Sequence, residues 1–137
     1  MQNLFIVWND DFNTGIPIID EQHRAMVATI NTLFYLIKEG DGIEALKPSL
    51  LSLEYYIATH FITEKKILEK TDFPKLKSHL QLHEDMKKEK ERIERDAIYN
   101  KDPMVLLHFL KEWLPEHLIH EDSKYIPYVK KLINSNE

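Results

Sequence analysis

The 137-residue chain contains no cysteine, and this absence excludes disulfides, thiolate metal sites and iron–sulfur clusters. Glycine and proline are scarce, with 3 and 6 residues, which favours helices joined by short connections. No apolar run is long enough to cross a membrane or to form the core of a secretion signal. We therefore expect a soluble, cytoplasmic protein without a membrane partner.

The charge balance also excludes one class of partner. The formal net charge is −5, and no stripe of Lys and Arg is free of interspersed acids, so we expect no nucleic-acid binding. Hydrophobic residues make up 43% of the chain and charged residues 30%, which is enough to fill a core and cover it with a polar surface. The length suits one domain, predicted to span residues 1–137.

Four long segments carry the spacing of helices with one buried face, because core-type residues recur at steps of three and four. The predicted helices cover about 20–38, 43–70, 74–99 and 102–121, and a shorter pattern covers about 122–133. Asp20 and Asp102 are the predicted N-caps of the first and fourth helices, and Pro74 is predicted to lie in the first turn of the third.

Connections of a few residues favour antiparallel neighbouring helices. The sequence thus predicts an all-α protein, an up-down-up-down four-helix bundle. An N-terminal arm of residues 1–19 precedes the bundle, the bundle covers about 20–121, and a short C-terminal helix follows at about 122–133.

Ionisable residues occupy positions on the buried faces where apolar residues are expected. These residues are His23, His60, Glu64, His79, His83 and His117. A lone buried histidine is usually an ordinary core residue, but six buried ionisable groups in one small core are costly unless they are paired or bind metal. In an antiparallel bundle all six also fall at one end, which favours a shared metal site.

Imidazole and carboxylate ligands without sulfur suit iron, manganese or zinc. Five histidines are more than one ion would take together with two carboxylates, so the set indicates two metals bridged by Glu64 and a second acid. Asp122 is the first candidate for that acid, followed by Glu121 and Glu116. Asp122 comes five residues after His117, about 140° around an ideal helix, so periodicity alone leaves the choice open.

Proline also falls inside the fourth helix. Pro115 precedes His117 by two residues and cannot donate a backbone hydrogen bond, so we expect a kink or a local widening of the helix there. His108 and His120 lie outside the ligand pattern and are predicted to lie at the surface or beside the site.

The spacing of these residues resembles that of hemerythrins. The matching pattern is His23, His60-x-x-x-Glu64, His79-x-x-x-His83 and His117-x-x-x-x-Asp122. The bacterial members, the bacteriohemerythrins, also resemble this chain in Trp8, Phe12, Gly15-Ile16, Ile19-Asp20-Glu21-Gln22-His23 and Trp113-Leu114. The resemblance extends from about Trp8 to Tyr128.

The resemblance implies two iron ions bridged by an oxo or hydroxo group, Glu64 and Asp122. His79, His83 and His117 would bind one iron, and His23 and His60 would bind the other, which keeps an open position for O₂. The implied function is reversible O₂ binding in transport, storage or supply, without enzymatic activity. The residues expected to line the O₂ pocket are Ile57, Phe61, Trp113 and Ile119. No protein partner is implied.

Three alternatives share some of these features. The chain could be an O₂- or redox-sensing hemerythrin domain of a signalling system, with the same fold and site. It could be a diiron oxidase or peroxidase, but ferritin-like bundles of that kind use Glu-x-x-His pairs and this sequence contains none. It could also be a metal-free structural bundle.

Overall fold

Helices account for all the regular structure in the computed structural model of the chain, which describes residues 3–135. The long helices are α1 (Pro17–Lys38), α2 (Lys47–Leu68), α3 (Leu76–Asn100), α4 (Pro103–Glu116) and α5 (Ile126–Ser135). Short 3₁₀ segments occupy Asp10–Phe12, Ile43–Leu46 and Asp122–Tyr125, and a π-helical segment spans His117–Glu121. The predicted all-α fold is confirmed. None of the described helices is long and apolar enough to cross a membrane.

The first four helices form the bundle, and α5 covers one end of it. Packing is closest between α1 and α2 and between α3 and α4, and it is looser between α1 and α4 and between α2 and α3. A large apolar core fills the middle of the bundle, and a smaller one lies under α5. The members of the smaller core are Ile16, Ile19, Leu68, Phe73, Tyr125 and Val129.

Buried polar residues lie between these two cores. On α1, His23 comes after Ile19 of the smaller core and before Met26 of the larger one. On α2, Glu64 lies between Phe61 of the larger core and Leu68 of the smaller one. Because α5 and its apolar residues close the end of the bundle, this polar layer is shielded from water on both sides.

The start of α1 differs from the prediction. The helix begins at Pro17, three residues before Asp20, because proline suits the first helical turn. Asp20 is therefore not an N-cap. Its carboxylate instead accepts hydrogen bonds from the backbone of Thr14 at 2.8 Å and of Gly15 at 3.0 Å, and from the Thr14 hydroxyl at 2.7 Å. Asp20 thus holds the end of the N-terminal arm, where Gly15 takes a φ of +79°.

Other predicted boundaries shift for local reasons. Pro74 lies in a turn, and α3 begins at Leu76. Asp102 occupies the predicted position before α4, but its side chain makes no capping hydrogen bond. The C-terminal helix begins at Ile126, since residues 122–125 form a 3₁₀ segment instead of its first turn.

The end of α4 widens after Pro115, as the sequence predicts. Proline lacks the N–H that would bond to the carbonyl of Lys111, so the regular ladder is interrupted there. The following residues form the π-helical segment, and the backbone N–H of Asp122 donates to the carbonyl of His117, five residues earlier.

The N-terminal arm lies across α1 and is held by an amide clamp. The backbone N–H of Ile6 donates to Asn31 Oδ1 at 2.8 Å, and Asn31 Nδ2 donates to the Ile6 carbonyl at 2.9 Å. Phe5 stacks on Phe34, with ring centroids 4.6 Å apart. These contacts satisfy the backbone of Ile6, whose side chain is buried in the large core.

Replacing the clamp should loosen the arm. We expect Asn31→Ala to lower the free energy of unfolding by about 1–3 kcal/mol, because both polar groups of Ile6 lose their partner. Urea titration measures this change, and amide hydrogen exchange should accelerate at Ile6. Thr32→Ala on the same helix is the control, since the exposed Thr32 hydroxyl bonds only to the Ala28 carbonyl. Equal effects of the two substitutions would contradict the clamp.

Candidate metal centre

Five histidines and two carboxylates meet in the buried layer between the two cores. Every residue in this group is at most 3% exposed. The helices contribute His23 (α1), His60 and Glu64 (α2), His79 and His83 (α3), and His117 and Asp122 (the π-helical segment and the residue after it). The structure therefore brings all seven predicted ligand residues together.

Glu64 faces two groups of histidines with its two oxygens. Its Oε1 contacts Nε2 of His79 and lies 3.0 Å from Nε2 of His83. Its Oε2 lies 2.9 Å from Nε2 of His60. One carboxylate thus spans a histidine pair on α3 and a histidine on α2.

The two oxygens of Asp122 also face different histidines. Its Oδ1 lies 2.8 Å from Nε2 of His117 and 3.3 Å from Nε2 of His79. Its Oδ2 lies 3.0 Å from Nε2 of His23 and 3.9 Å from Nε2 of His60. The centre therefore has a three-histidine side (His79, His83, His117) and a two-histidine side (His23, His60), and each carboxylate offers one oxygen to each side.

The π-helical segment explains why Asp122 and not another acid joins His117. In an ideal α-helix, residues five apart point about 140° apart, whereas a hydrogen bond between residues five apart places one above the other. Asp122 is fully buried. Glu121 instead pairs with the exposed Lys124 at 3.2 Å, and the Glu116 side chain is 67% exposed.

Electrostatics in the layer favour charged carboxylates. Burial raises the pKa of Glu64, but close contacts with His60, His79 and His83 outweigh it and bring the pKa well below its usual value. Burial and the charge of Glu64 raise the pKa of Asp122, but the neighbouring His117 and His23 outweigh them and lower it. Both acids are therefore ionised at neutral pH.

The histidines respond in opposite directions to the same surroundings. Burial lowers the pKa of His79, but close contacts with Asp122 and Glu64 and the charges of these two acids raise it to about 9. The pKa of His60 is also raised, because contact with Glu64 outweighs burial. Burial prevails at His23 and His83 and lowers their pKa. Without a cation, the carboxylates thus favour the protonated forms of His79 and His60.

Tyr125 also contributes to the centre. The sequence analysis placed this residue only within the predicted C-terminal helix, at about 122–133. The buried phenol donates a hydrogen bond to Glu64 Oε2 at 3.0 Å. Burial and the charges of Asp122 and Glu64 raise the pKa of Tyr125 well above its usual value, so the phenol stays protonated. Its position three residues after Asp122, one helical turn on, is the signal in the sequence that could have identified it.

Gln22 orients one of the histidines. Its Oε1 accepts a hydrogen bond from Nδ1–H of His60 at 3.0 Å, and its Nε2 donates to Thr63 Oγ1 at 3.0 Å. Because an amide oxygen can only accept, His60 carries its proton on Nδ1 and turns Nε2 toward the carboxylates. Such partners commonly fix the orientation of metal-binding histidines.

Two of the predicted pocket residues contact histidines of the centre, and the other two belong to the large core or pack against it. Phe61 stacks on His83 with centroids 3.8 Å apart, and Trp113 stacks on His117 at 4.6 Å. Ile57 is buried in the large core, and Ile119 packs against that core. A role for these residues in holding O₂ stays a prediction. His108 and His120 are exposed and lie outside the cluster.

A cation would satisfy polar atoms that the described residues leave unpaired. Nε2 of His83, Nε2 of His117 and both oxygens of Asp122 are buried without a hydrogen bond of normal geometry within that part of the chain. These nitrogens and carboxylate oxygens therefore lie close together without hydrogen bonds between them, and a cation between them would bind both kinds of atom. Five imidazoles and two carboxylates fit a pair of borderline divalent metals such as iron.

The fold and the centre define a helical-bundle protein with a buried histidine–carboxylate site for cations. The family described as "Hemerythrin HHE cation binding domain" matches residues 14–129. The chain belongs to the hemerythrin family. Family membership implies non-haem iron and a function of the O₂-binding type.

Named relatives match most of the chain. Bacteriohemerythrin of Clostridium acetobutylicum is 29% identical over 126 residues, which cover 88% of this chain and 98% of the relative. Bacteriohemerythrin of Pseudomonas aeruginosa strain PAO1 is 29% identical and covers 91% of this chain and 82% of the relative. Hemerythrin subunit alpha of Lingula reevii is 30% identical over 118 residues, covering 86% and 90% of the two chains.

The role of the π-helical segment can be tested by changing its length. Deleting His120 leaves His117 and Asp122 four residues apart, which are neighbours on an ordinary α-helix, so we expect metal binding to survive. Inserting one alanine after Ile119 makes the separation six and turns Asp122 away, so metal content should fall by at least half. Elemental analysis of the two proteins measures the difference. Loss of metal in the deletion variant, with the helical circular dichroism retained, would contradict this account.

Removing the phenol hydroxyl should weaken metal binding. We expect Tyr125→Phe to lower metal affinity by about 10–100-fold, because Glu64 loses a donor that holds it in place. Competition between the apoprotein and a chromophoric chelator for Zn²⁺ or Co²⁺ measures this affinity. Tyr128→Phe is the matched control, since Tyr128 lies three residues further along the chain, in α5, and outside the ligand cluster. Equal affinities for the unmodified protein and for both variants would show that the Tyr125–Glu64 hydrogen bond does not support metal binding.

Proposed function

We propose that this protein binds O₂ reversibly at two iron ions held by the seven residues of the centre, and that it serves as an oxygen carrier or store. Glu64 and Asp122 would bridge the irons together with a solvent-derived oxygen. The main support for the proposal is that Glu64 and Asp122 each direct one oxygen to the three-histidine side and the other oxygen to the two-histidine side.

The two sides offer unequal numbers of ligand atoms. The three-histidine side has three imidazoles and two carboxylate oxygens, and the two-histidine side has two imidazoles and two carboxylate oxygens. With one shared oxygen bridge, the first metal would have six ligands and the second five. The open sixth position supports binding of a small external molecule.

Iron bound here would supply the redox chemistry by which O₂ is held and released. The chain's own residues provide the surroundings. Burial of every ligand keeps bulk water away from the centre, and the stacked rings of Phe61 and Trp113 cover the three-histidine side. The phenol of Tyr125 donates to Glu64, and Gln22 holds His60 in one tautomer.

We propose binding and not catalysis, because histidines outnumber carboxylates. Carboxylate-rich sites with Glu-x-x-His pairs are typical of ferritin-like diiron proteins, and this sequence has no such pair. Among the described residues, no further acid or histidine joins the cluster to act as a proton donor at the two-histidine side.

A cytoplasmic location stays a prediction from the sequence.

Iron analysis and visible spectroscopy test the proposal together. We expect two irons per chain, and a visible band that appears when the reduced protein meets O₂ and disappears under argon over several cycles. Glu64→Ala should lower the iron content well below one per chain, because both metals lose a shared ligand. His108→Ala, at an exposed histidine outside the cluster, should retain two irons.

Two outcomes would overturn the proposal. If both irons oxidise on first contact with O₂ and stay oxidised when the O₂ is removed under argon, the result would indicate a redox or enzymatic function. Protein reconstituted with ferrous iron that retains none would exclude an iron centre.

A further inference from the structure

Seven exposed lysines belong to the segments that form the end of the bundle holding the metal centre. We call them together the lysine face; its members are Lys65, Lys66, Lys70, Lys75, Lys77, Lys130 and Lys131. They come from the end of α2, the connection to α3, the start of α3, and α5. All are exposed, and together they account for seven of the 18 Lys and Arg residues in a chain of net charge −5.

The lysine face carries little compensating charge. Within the part of the chain that the structure describes, none of its lysines forms an ion pair with a carboxylate, in contrast to Lys124, which pairs with Glu121. The exposed acids in the same connection are Glu69 and Asp72. Lysines without acidic partners produce a local positive potential that attracts an acidic surface, although the whole protein is acidic.

A surface cleft lies on this face. It has a volume of about 380 Å³ and is lined by Lys70, Lys131 and Tyr128, with Asp72 as its one acid. The Tyr128 ring lies 5.3 Å from that of Phe73, and Phe73 lies 6.3 Å from the His79 ring, measured between centroids. Two ring-to-ring steps therefore join the cleft to a histidine whose Nε2 faces both carboxylates.

We propose that the lysine face docks a small acidic one-electron redox protein, which passes electrons through Tyr128 and Phe73 to the metal centre. This proposal rests on the proposed function. When bound O₂ leaves as peroxide instead of O₂, it keeps two electrons from the iron pair, and the oxidised pair can bind O₂ again only after two electrons are returned. Each encounter transfers one electron: the partner is oxidised, one iron is reduced, and no bond forms or breaks. Two encounters restore the pair.

An acidic protein fits better than the other anionic surface that lysines attract. A flat lipid surface would contact the lysines but could not enter the cleft or supply an electron to Tyr128. A protein with an exposed redox group amid carboxylates meets both features, because charge complementarity orients it and the cleft receives it.

Docking can be measured first, without electron transfer. Zinc-loaded protein, which is redox-inert, is titrated with an oxidised acidic plant-type ferredoxin by calorimetry at 20 and 200 mM salt. We expect binding at low salt that weakens at least tenfold at high salt. Lys70→Glu with Lys131→Glu should weaken binding at low salt by at least tenfold. Lys88→Glu with Lys101→Glu changes net charge equally, at exposed positions outside the face, and should change it less than threefold.

Electron transfer is then measured by stopped flow, with reduced ferredoxin and the oxidised iron protein. Tyr128→Leu should preserve the binding constant but slow reduction several-fold, whereas Tyr99→Leu, at a tyrosine that is 88% exposed on α3, should change neither. Equal reduction rates for the unmodified protein and for both variants would overturn electron transfer through Tyr128 and Phe73.

The docking result also separates this proposal from the proposed function. Equal weakening by both lysine pairs would show that only net charge matters and would overturn docking at this face, whatever the iron content. Salt-dependent binding to vesicles with 30% phosphatidylserine, without binding to ferredoxin, would replace the protein partner with a lipid surface. Docking by zinc protein together with failure to bind O₂ reversibly would count against the proposed function alone.

Discussion

Two ionised carboxylates buried inside a small helical bundle are the constraint on which the rest of the structure depends. Removing such groups from water is costly, and the cost is acceptable only when each oxygen has charged or hydrogen-bonding neighbours. Glu64 and Asp122 each have histidines on two sides. The apolar cores above and below this layer strengthen those contacts because they exclude water from it.

Much of the centre could be predicted because the helices that carry it are regular. His60 and Glu64, and likewise His79 and His83, are four residues apart on uninterrupted α-helices, so ordinary periodicity places each pair on one face. Asp122 could not be derived in this way. Its alignment with His117 depends on a backbone hydrogen bond across five residues, and α-helical periodicity does not predict a π-helical segment.

Other features were missed because they depend on contacts between segments distant in sequence. Tyr125 reaches Glu64 across 61 residues, and Asp20 binds backbone of the arm instead of capping its own helix. The lysine face illustrates the same limit. Its members lie in two separate segments, and acids are interspersed among them, so the sequence showed no basic stripe. Only the packing of α5 beside the α2–α3 connection brings Lys70 and Lys131 to one cleft.

The widened end of α4 has a consequence for how the protein is assembled. His117 belongs to one side of the centre and Asp122 to both, and five successive backbone residues position the two of them. A π-helical turn is rarely stable alone, so this segment depends on the contacts that His117 and Asp122 make in the centre. In the proposed diiron centre, winding of this last turn and filling of both metal positions would become one cooperative event, in which a half-assembled centre does not accumulate.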